Sequence, residues 1–248
     1  MRKQRVGYVR ELFMETVLSS VWAVALALVM TSSAQAHDFK IVGNSDQVRQ
    51  IEQSLSNCPS LSTTLDGLTK SANFQQIRVT TPDETKSKGP FLAEVAGNEI
   101  VVADTWLSQQ NTPVYDVRQA GEILPDNLCF DLGHLSDHIA HPSSMTPTGP
   151  DMGAWVDARL KAESLAFIRA WPFVLEAARA KNNGKQLSVA QLGALFINLR
   201  YRFVFLKAMA PSATPKLTVL PDGSIPETDA NVAAIQAVLA HSPIADLQ

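Results

Sequence analysis

The sequence predicts an α+β domain that is mainly helical, with a small antiparallel or mixed sheet followed by a helical half. Three observations predict it. Short segments bounded by Gly, Pro and Asn have strand character within residues 76–103. Apolar stripes of helical period then fill residues 126–209, and beyond them the chain holds one short strand and one last helix.

Taken in chain order, residues 1–36 read as a cleavable secretory leader. Arg2, Lys3, Arg5 and Arg10 form a basic start, the run VLSSVWAVALALVM over 17–30 carries no charge, and Ala34 and Ala36 supply an A-x-A cleavage site. Cleavage after Ala36 makes His37 the new start. The alternative is an uncleaved membrane anchor, for which the run is short, because about 20 apolar residues are needed to span a bilayer. Residues 37–248 form one domain, with no second apolar run of this kind and so no stable membrane insertion expected.

Within that domain, Val48, Ile51 and Leu55 recur at helical spacing and predict a helix over 45–57, closed by Cys58-Pro59. A second helix is predicted over 61–70. Strands follow at 76–80, 91–96 and 99–103, the last two joined by the tight turn Gly97-Asn98. The stretch PDETKSKGP between the first two is predicted to be an exposed polar loop. From 126 to 141, Leu128, Leu132, Leu135 and Ile139 form a helical stripe that ends at His141-Pro142. PSSMTPTGPDMG is a loop by composition. A long helix is predicted over 154–181, kinked at Pro172 and stopped by Asn182-Asn183-Gly184. Ser188 and Gln191 make a capping box for a helix to 209, with Leu192, Leu195, Phe196, Leu199, Phe203 and Leu206 on its core face. A strand over 217–220, a turn at Asp222-Gly223 and a helix over 229–240 complete the chain.

Composition narrows function. The leader holds four of the 21 basic and two of the 24 acidic residues, so its removal moves the formal charge from −3 to −5. A mildly acidic chain is a poor partner for nucleic acid. Cys58 and Cys129 both lie after the leader, and an oxidising compartment favours pairing them. There is no Gly-rich phosphate loop, no G-x-S-x-G elbow and no paired-cysteine metal spacing.

Four residues of the 126–141 helix carry the candidate chemistry. Asp131, His134, His138 and His141 share one strip, about 110° round from the leucine stripe, where they are expected to border the core without entering it. His134 and His138 have the i, i+4 spacing by which a helix offers two imidazoles to one tetrahedral zinc. On the next helix, Glu163 falls within the apolar stripe of Val156, Leu160, Phe167, Trp171, Val174 and Ala178. A carboxylate on a core face needs a partner. That partner is a metal, a proton, or an arginine such as Arg159, Arg200 or Arg202. Helix histidines near a C-terminus also complement the dipole without binding anything. Asp137 lies off the strip and is expected to be solvated, and Trp106, Trp155 and Trp171 to be core or cleft wall.

The run Phe130-Asp131-Leu132-Gly133-His134-Leu135-Ser136-Asp137-His138, preceded by NEIVVADTWL, resembles the active helix and sheet edge of zincin metallopeptidases over roughly 91–178. In the glutamate-zincin type a downstream helix supplies the third ligand, and Glu163 matches that position. One alignment places Phe130 where the first histidine belongs and Asp131 where the general-base glutamate belongs. The other makes His134 and His138 the ligands and leaves Leu135 at the base position. The second implies zinc on His134, His138 and Glu163, with Asp131 as the substitute base. The resemblance implies an exported metal-dependent hydrolase acting on peptide bonds, or a catalytically inactive protein of the same shape that binds a peptide or protein partner. Either requires the two helices to pack with His134 facing Glu163.

Overall fold

In a computed structural model the described residues are 37–88, 92–109, 123–142 and 151–241. The expected leader at 1–36 and most of the expected loop at 142–153 lie outside them. The elements run β1 (Lys40–Val42), α1 (Ser45–Asn57), α2 (Pro59–Ser71), β2 (Gln76–Val79), α3 (Pro82–Lys88), β3 (Ala93–Ala96), β4 (Glu99–Val102), α4 (Asp104–Gln109), α5 (Asn127–Ala140), α6 (Met152–Lys181), α7 (Val189–Asn198), α8 (Arg202–Met209) and α9 (Asp229–Ala240). This is the mainly helical α+β arrangement with a small mixed sheet. No helix among the described residues is long and apolar enough to cross a membrane.

The sheet has the order β1-β2-β4-β3, parallel except for the β3–β4 hairpin. Gly97, at φ +64°, supplies the left-handed position that this hairpin turn requires. In the inner strand β4, Ile100, Val101 and Val102 are all fully buried, as expected of a strand covered on both faces. The edge strand β1 is too short for its three residues to show a period, and the sequence pattern does not announce it. The expected loop at 82–90 instead opens as the helix α3, which Thr81 caps by accepting from the Glu84 backbone N–H. Asp83 and Glu84 in its first turn complement the dipole.

Two cores meet at α5. Leu128, Cys129, Leu132, Leu135 and Ile139 pack with the sheet, α1 and α2. Phe130, on another side of α5, joins the core made by α6, α7, α8 and α9. A helix walled on two sides has little solvent-facing surface, so two of the strip's four residues enter the core instead of bordering it: Asp131 is 4 % exposed and His138 6 %, whereas His134 is partly buried and His141 exposed. Cys58, between α1 and α2, is disulfide-bonded to Cys129 in the first turn of α5.

The close approach of α5 and α6 depends on Gly133. A Cβ there would clash with the Phe173 ring and stand 3.4 Å from the Ala170 Cα. Gly133→Val is therefore expected to destabilise the fold by about 1–3 kcal/mol through overpacking. Urea unfolding checks this, and a change within about 0.5 kcal/mol, the range of an indifferent surface site, would show that the helices part without cost.

The helix expected over 188–209 breaks in two. Leu199 leaves the helical region (ψ 140°), and the Arg200 backbone N–H donates to Asn127 Oδ1 at 2.8 Å, a tertiary bond that replaces a helical one. The break resets the phase. Val204, Phe205 and Ala208 turn inward, whereas Phe203 is only half-buried and Leu206 is 39 % exposed, contrary to the expected core face. The strand expected at 217–220 is an extended segment without a ladder. The buried Asn231 side chain takes both the N–H and the C=O of Thr218, so no neighbouring strand is needed.

Candidate metal centre

The α5–α6 packing brings His134 and His138 onto Glu163, as the sequence requires. His138 Nε2 lies 3.0 Å from His134 Nε2. Glu163 Oε2 is 3.1 Å from the first histidine nitrogen and 3.3 Å from the second. The three atoms make a near-equilateral triangle of potential ligands, with Glu163 2 % exposed. His134 is the most open of the three, its side chain retaining 16 % of its surface.

Local structure explains the convergence. One turn of α5 separates the two imidazoles, and their rings stand edge to face with centroids 4.6 Å apart. Phe167, one turn beyond Glu163 on α6, meets the His134 ring at 90° and 5.1 Å. Phe130 supports Phe167 from the α5 side at 5.4 Å. Phe130 is thus an aromatic core residue, and the convergent set is the histidine pair of the second alignment together with Glu163.

The electrostatics suit a cation. Burial lowers the His134 imidazole below its ordinary value, despite the pull of Glu163, which favours the neutral ring. Burial opposes ionisation of Glu163, but the imidazoles of His134 and His138 outweigh it and hold the carboxyl well below the usual range. A neutral imidazole and an ionised carboxylate are the forms that ligate metal. Glu163 Oε2 has no hydrogen-bond partner of good geometry among the described residues, although two ring nitrogens stand within 3.3 Å. The two ring nitrogens are themselves in hydrogen-bond contact, so one of them carries a proton that a metal would displace. The other oxygen, Oε1, is 3.9 Å from Arg159, one of the three arginines considered as partners, at the limit of an ion pair.

The spacing fits a tetrahedrally bound metal ion. Metal–ligand distances of about 2.0–2.1 Å in a tetrahedron give ligand–ligand edges of roughly 3.3–3.4 Å. The observed edges fall just inside that, so little movement would seat an ion on these three residues.

The remaining candidates lie elsewhere. His141 is exposed and contacts the Asp137 carbonyl and carboxylate at 3.0 and 3.2 Å. Asp137 is not solvated as expected: Arg169 binds it at 3.0 Å and is held in turn by two bonds to Glu227. Asp131 falls outside the convergent group. Burial pushes its carboxyl up to about 7, against the Arg200 guanidinium and the Trp106 and Tyr201 side chains that face it. Arg200 stacks over the Trp106 ring at 3.6 Å. The sequence reading did not single out Tyr201. It lies between Arg200 and Arg202, two of the candidate arginine partners of Glu163.

No protein-family model, curated protein or solved structure matches this chain, so the site is read from its own geometry.

Proposed function

We propose that the chain is an exported, zincin-like protein that holds one zinc ion on His134, His138 and Glu163 and acts on peptide bonds. The observation that carries this is the triangle of two Nε2 atoms and one carboxylate oxygen, all within 3.3 Å of one another and largely buried. Two imidazoles and a carboxylate suit zinc and leave a fourth position free, the pattern of catalytic rather than structural sites. A zinc ion held there supplies Lewis acidity toward a peptide carbonyl. Export is supported by the leader pattern and by the Cys58–Cys129 bridge, which oxidising compartments favour.

A second reading, a catalytically silent protein that binds a peptide or protein partner, is favoured by one observation. Leu135 follows His134 and packs into the sheet-side core, so no carboxylate stands beside the first ligand to act as a base. Metal analysis and a cleavage assay separate the readings. Residues 37–248, purified without a metal-binding tag, are expected to carry about one zinc per chain and to lose thermal stability with chelator. Cleavage of an unstructured protein that stops on chelation supports the hydrolase. Zinc without cleavage supports the silent form, and a metal-free chain indifferent to chelator removes the hydrolase and leaves the silent binding protein.

A further inference from the structure

Cleavage after Ala36 does more than release the domain: it turns the His37 peptide nitrogen into a primary amine. The compact unit of the chain begins at that same residue. The amine and the Nδ1 of a first-position histidine are linked only through Cα, Cβ and Cγ, so a metal ion bound to both closes a compact chelate ring. Nε2, on the far side of the imidazole, cannot do this. The nitrogen that chelation requires is the one the fold leaves unsatisfied: His37 Nδ1 is buried and has no hydrogen-bond partner among the described residues. A buried polar atom in that state is costly until something satisfies it.

The ring and the backbone beside it are both held. The imidazole stacks on Phe39 with centroids 4.7 Å apart and planes 23° from parallel, and Phe39 is itself buried against Phe74. One residue on, the Asp38 N–H donates to Asp66 Oδ1 at 2.8 Å, and the Asp38 carboxylate pairs with Lys70 at 3.0 Å, both partners on α2. The chain then enters the sheet at Lys40. The bond to Asp66 has two chemical consequences. It favours the protonated Asp38 amide, which therefore does not become a nitrogen ligand. It also holds the Asp66 carboxylate one peptide unit from the amine, in place to supply an oxygen.

Resting on the export reading above and independent of the zinc reading, we infer that the mature chain binds a Cu(II) ion through the amine and Nδ1 of His37, with the Asp66 carboxylate as the oxygen donor. The donor set selects the metal. An amine, an imidazole and a carboxylate suit the tetragonal N,O coordination of Cu(II), which also binds such sets most tightly among the divalent first-row ions. This site is separate from the triangle between α5 and α6: it lies before β1 and is anchored on α2. It exists only in the processed chain, because before cleavage the His37 nitrogen is an amide.

The test uses the exported protein and copper alone, with affinity measured by competition against a chromophoric chelator. Intact mass first identifies the N-terminus, and a chain that keeps its leader or starts elsewhere than His37 ends the cleavage reading and the proposal together. With His37 first, the wild type is expected to take up a copper equivalent that His37→Ala lacks. It is also expected to bind about tenfold or more tightly than the free peptide His-Asp-Phe-Lys, because its ring and second residue are already held. Selective acetylation of the α-amine should remove the same equivalent with every side chain intact. Electron paramagnetic resonance should show an axial Cu(II) signal coupled to an amine and an imidazole nitrogen, which neither altered chain gives. Asp66→Asn keeps an acceptor for the Asp38 N–H and should bind with an affinity between those of the wild type and the peptide. None of these changes touches His134, His138 or Glu163, so copper drawn to the triangle is common to all the chains and cancels in the comparison. With a processed N-terminus, a copper equivalent that survives in His37→Ala overturns the proposal and leaves the export reading standing. Affinity no better than that of the peptide does the same, since it marks adventitious chelation by a loose chain end.

Discussion

Glu163→Ala is expected to abolish stoichiometric zinc binding, lowering affinity by more than the ~10–100-fold that an outer hydrogen-bond partner contributes. The reason lies in the triangle. Two histidines one helical turn apart form only an edge, and Glu163 Oε2, at 3.1 and 3.3 Å from their nitrogens, closes it. His134→Ala should have the same effect, because any one of three protein ligands is indispensable to a site of this kind. Stability gives the clearest measurement. At a zinc concentration of about 100 times the dissociation constant, binding adds ~2.7 kcal/mol to the wild type. Neither variant should gain anything from zinc.

The metal-free comparison tests the rival account, in which Glu163 serves mainly as an ion-pair partner. Removing one member of a buried pair typically costs about 3–5 kcal/mol, and Glu163→Gln would show that loss without any metal present. The 3.9 Å separation makes Arg159 a weak partner, so any such loss would come from the contacts with His134 and His138. A metal-free Glu163→Gln that is as stable as the wild type, combined with lost zinc binding, identifies the carboxylate as a ligand. A strongly destabilised variant in a chain that ignores chelator identifies it as a structural anion.

Much of the centre was legible because its signals are local or obligatory. The i, i+4 histidines fall on one helix face by periodicity alone. Glu163 stood out because a carboxylate within an apolar stripe needs a partner, and the partner had to come from a helix packed against that stripe. Capping signals at Ser188 and Gln191, and the Asn183-Gly184 stop with its positive φ angles, were equally local and appear where expected. What escaped depends on contacts between distant segments. A stripe reveals the face of α5 that meets the sheet, but Phe130, alone in sequence, does not reveal the second core. The break at 199–201 requires Asn127, more than seventy residues earlier, to capture the Arg200 N–H. The sheet order places β4 beside β2, with β3 outside both. No local pattern encodes that, and β1 was too short to be read at all.

Replacing both Cys58 and Cys129 by alanine is expected to cost about 4 kcal/mol of unfolding free energy, with much less effect on zinc affinity. The bridge spans 71 residues, a loop that includes α2, the strands β2 to β4 and the short helices between them. Cross-linking so long a segment restricts the unfolded chain far more than it changes the folded one, and the loop-closure relation gives that magnitude at 25 °C. Alanine is the right substitute because both positions are fully buried and a hydroxyl would add an unsatisfied polar group. Zinc affinity should hold, since His134 and His138 are placed by the packing of α5 on α6, including the contact at Gly133, and not by the first turn of α5 where Cys129 lies. The measurement is urea unfolding of the oxidised wild type, the reduced wild type and the double alanine variant, each with and without zinc. Reduced wild type and variant should agree, both well below the oxidised protein, while the increment due to zinc stays nearly constant across all three. A bridge that contributes less than about 1 kcal/mol would show that the unfolded chain is already compact across this loop. Loss of the zinc increment with the bridge would mean that Cys129 anchors the histidine helix itself.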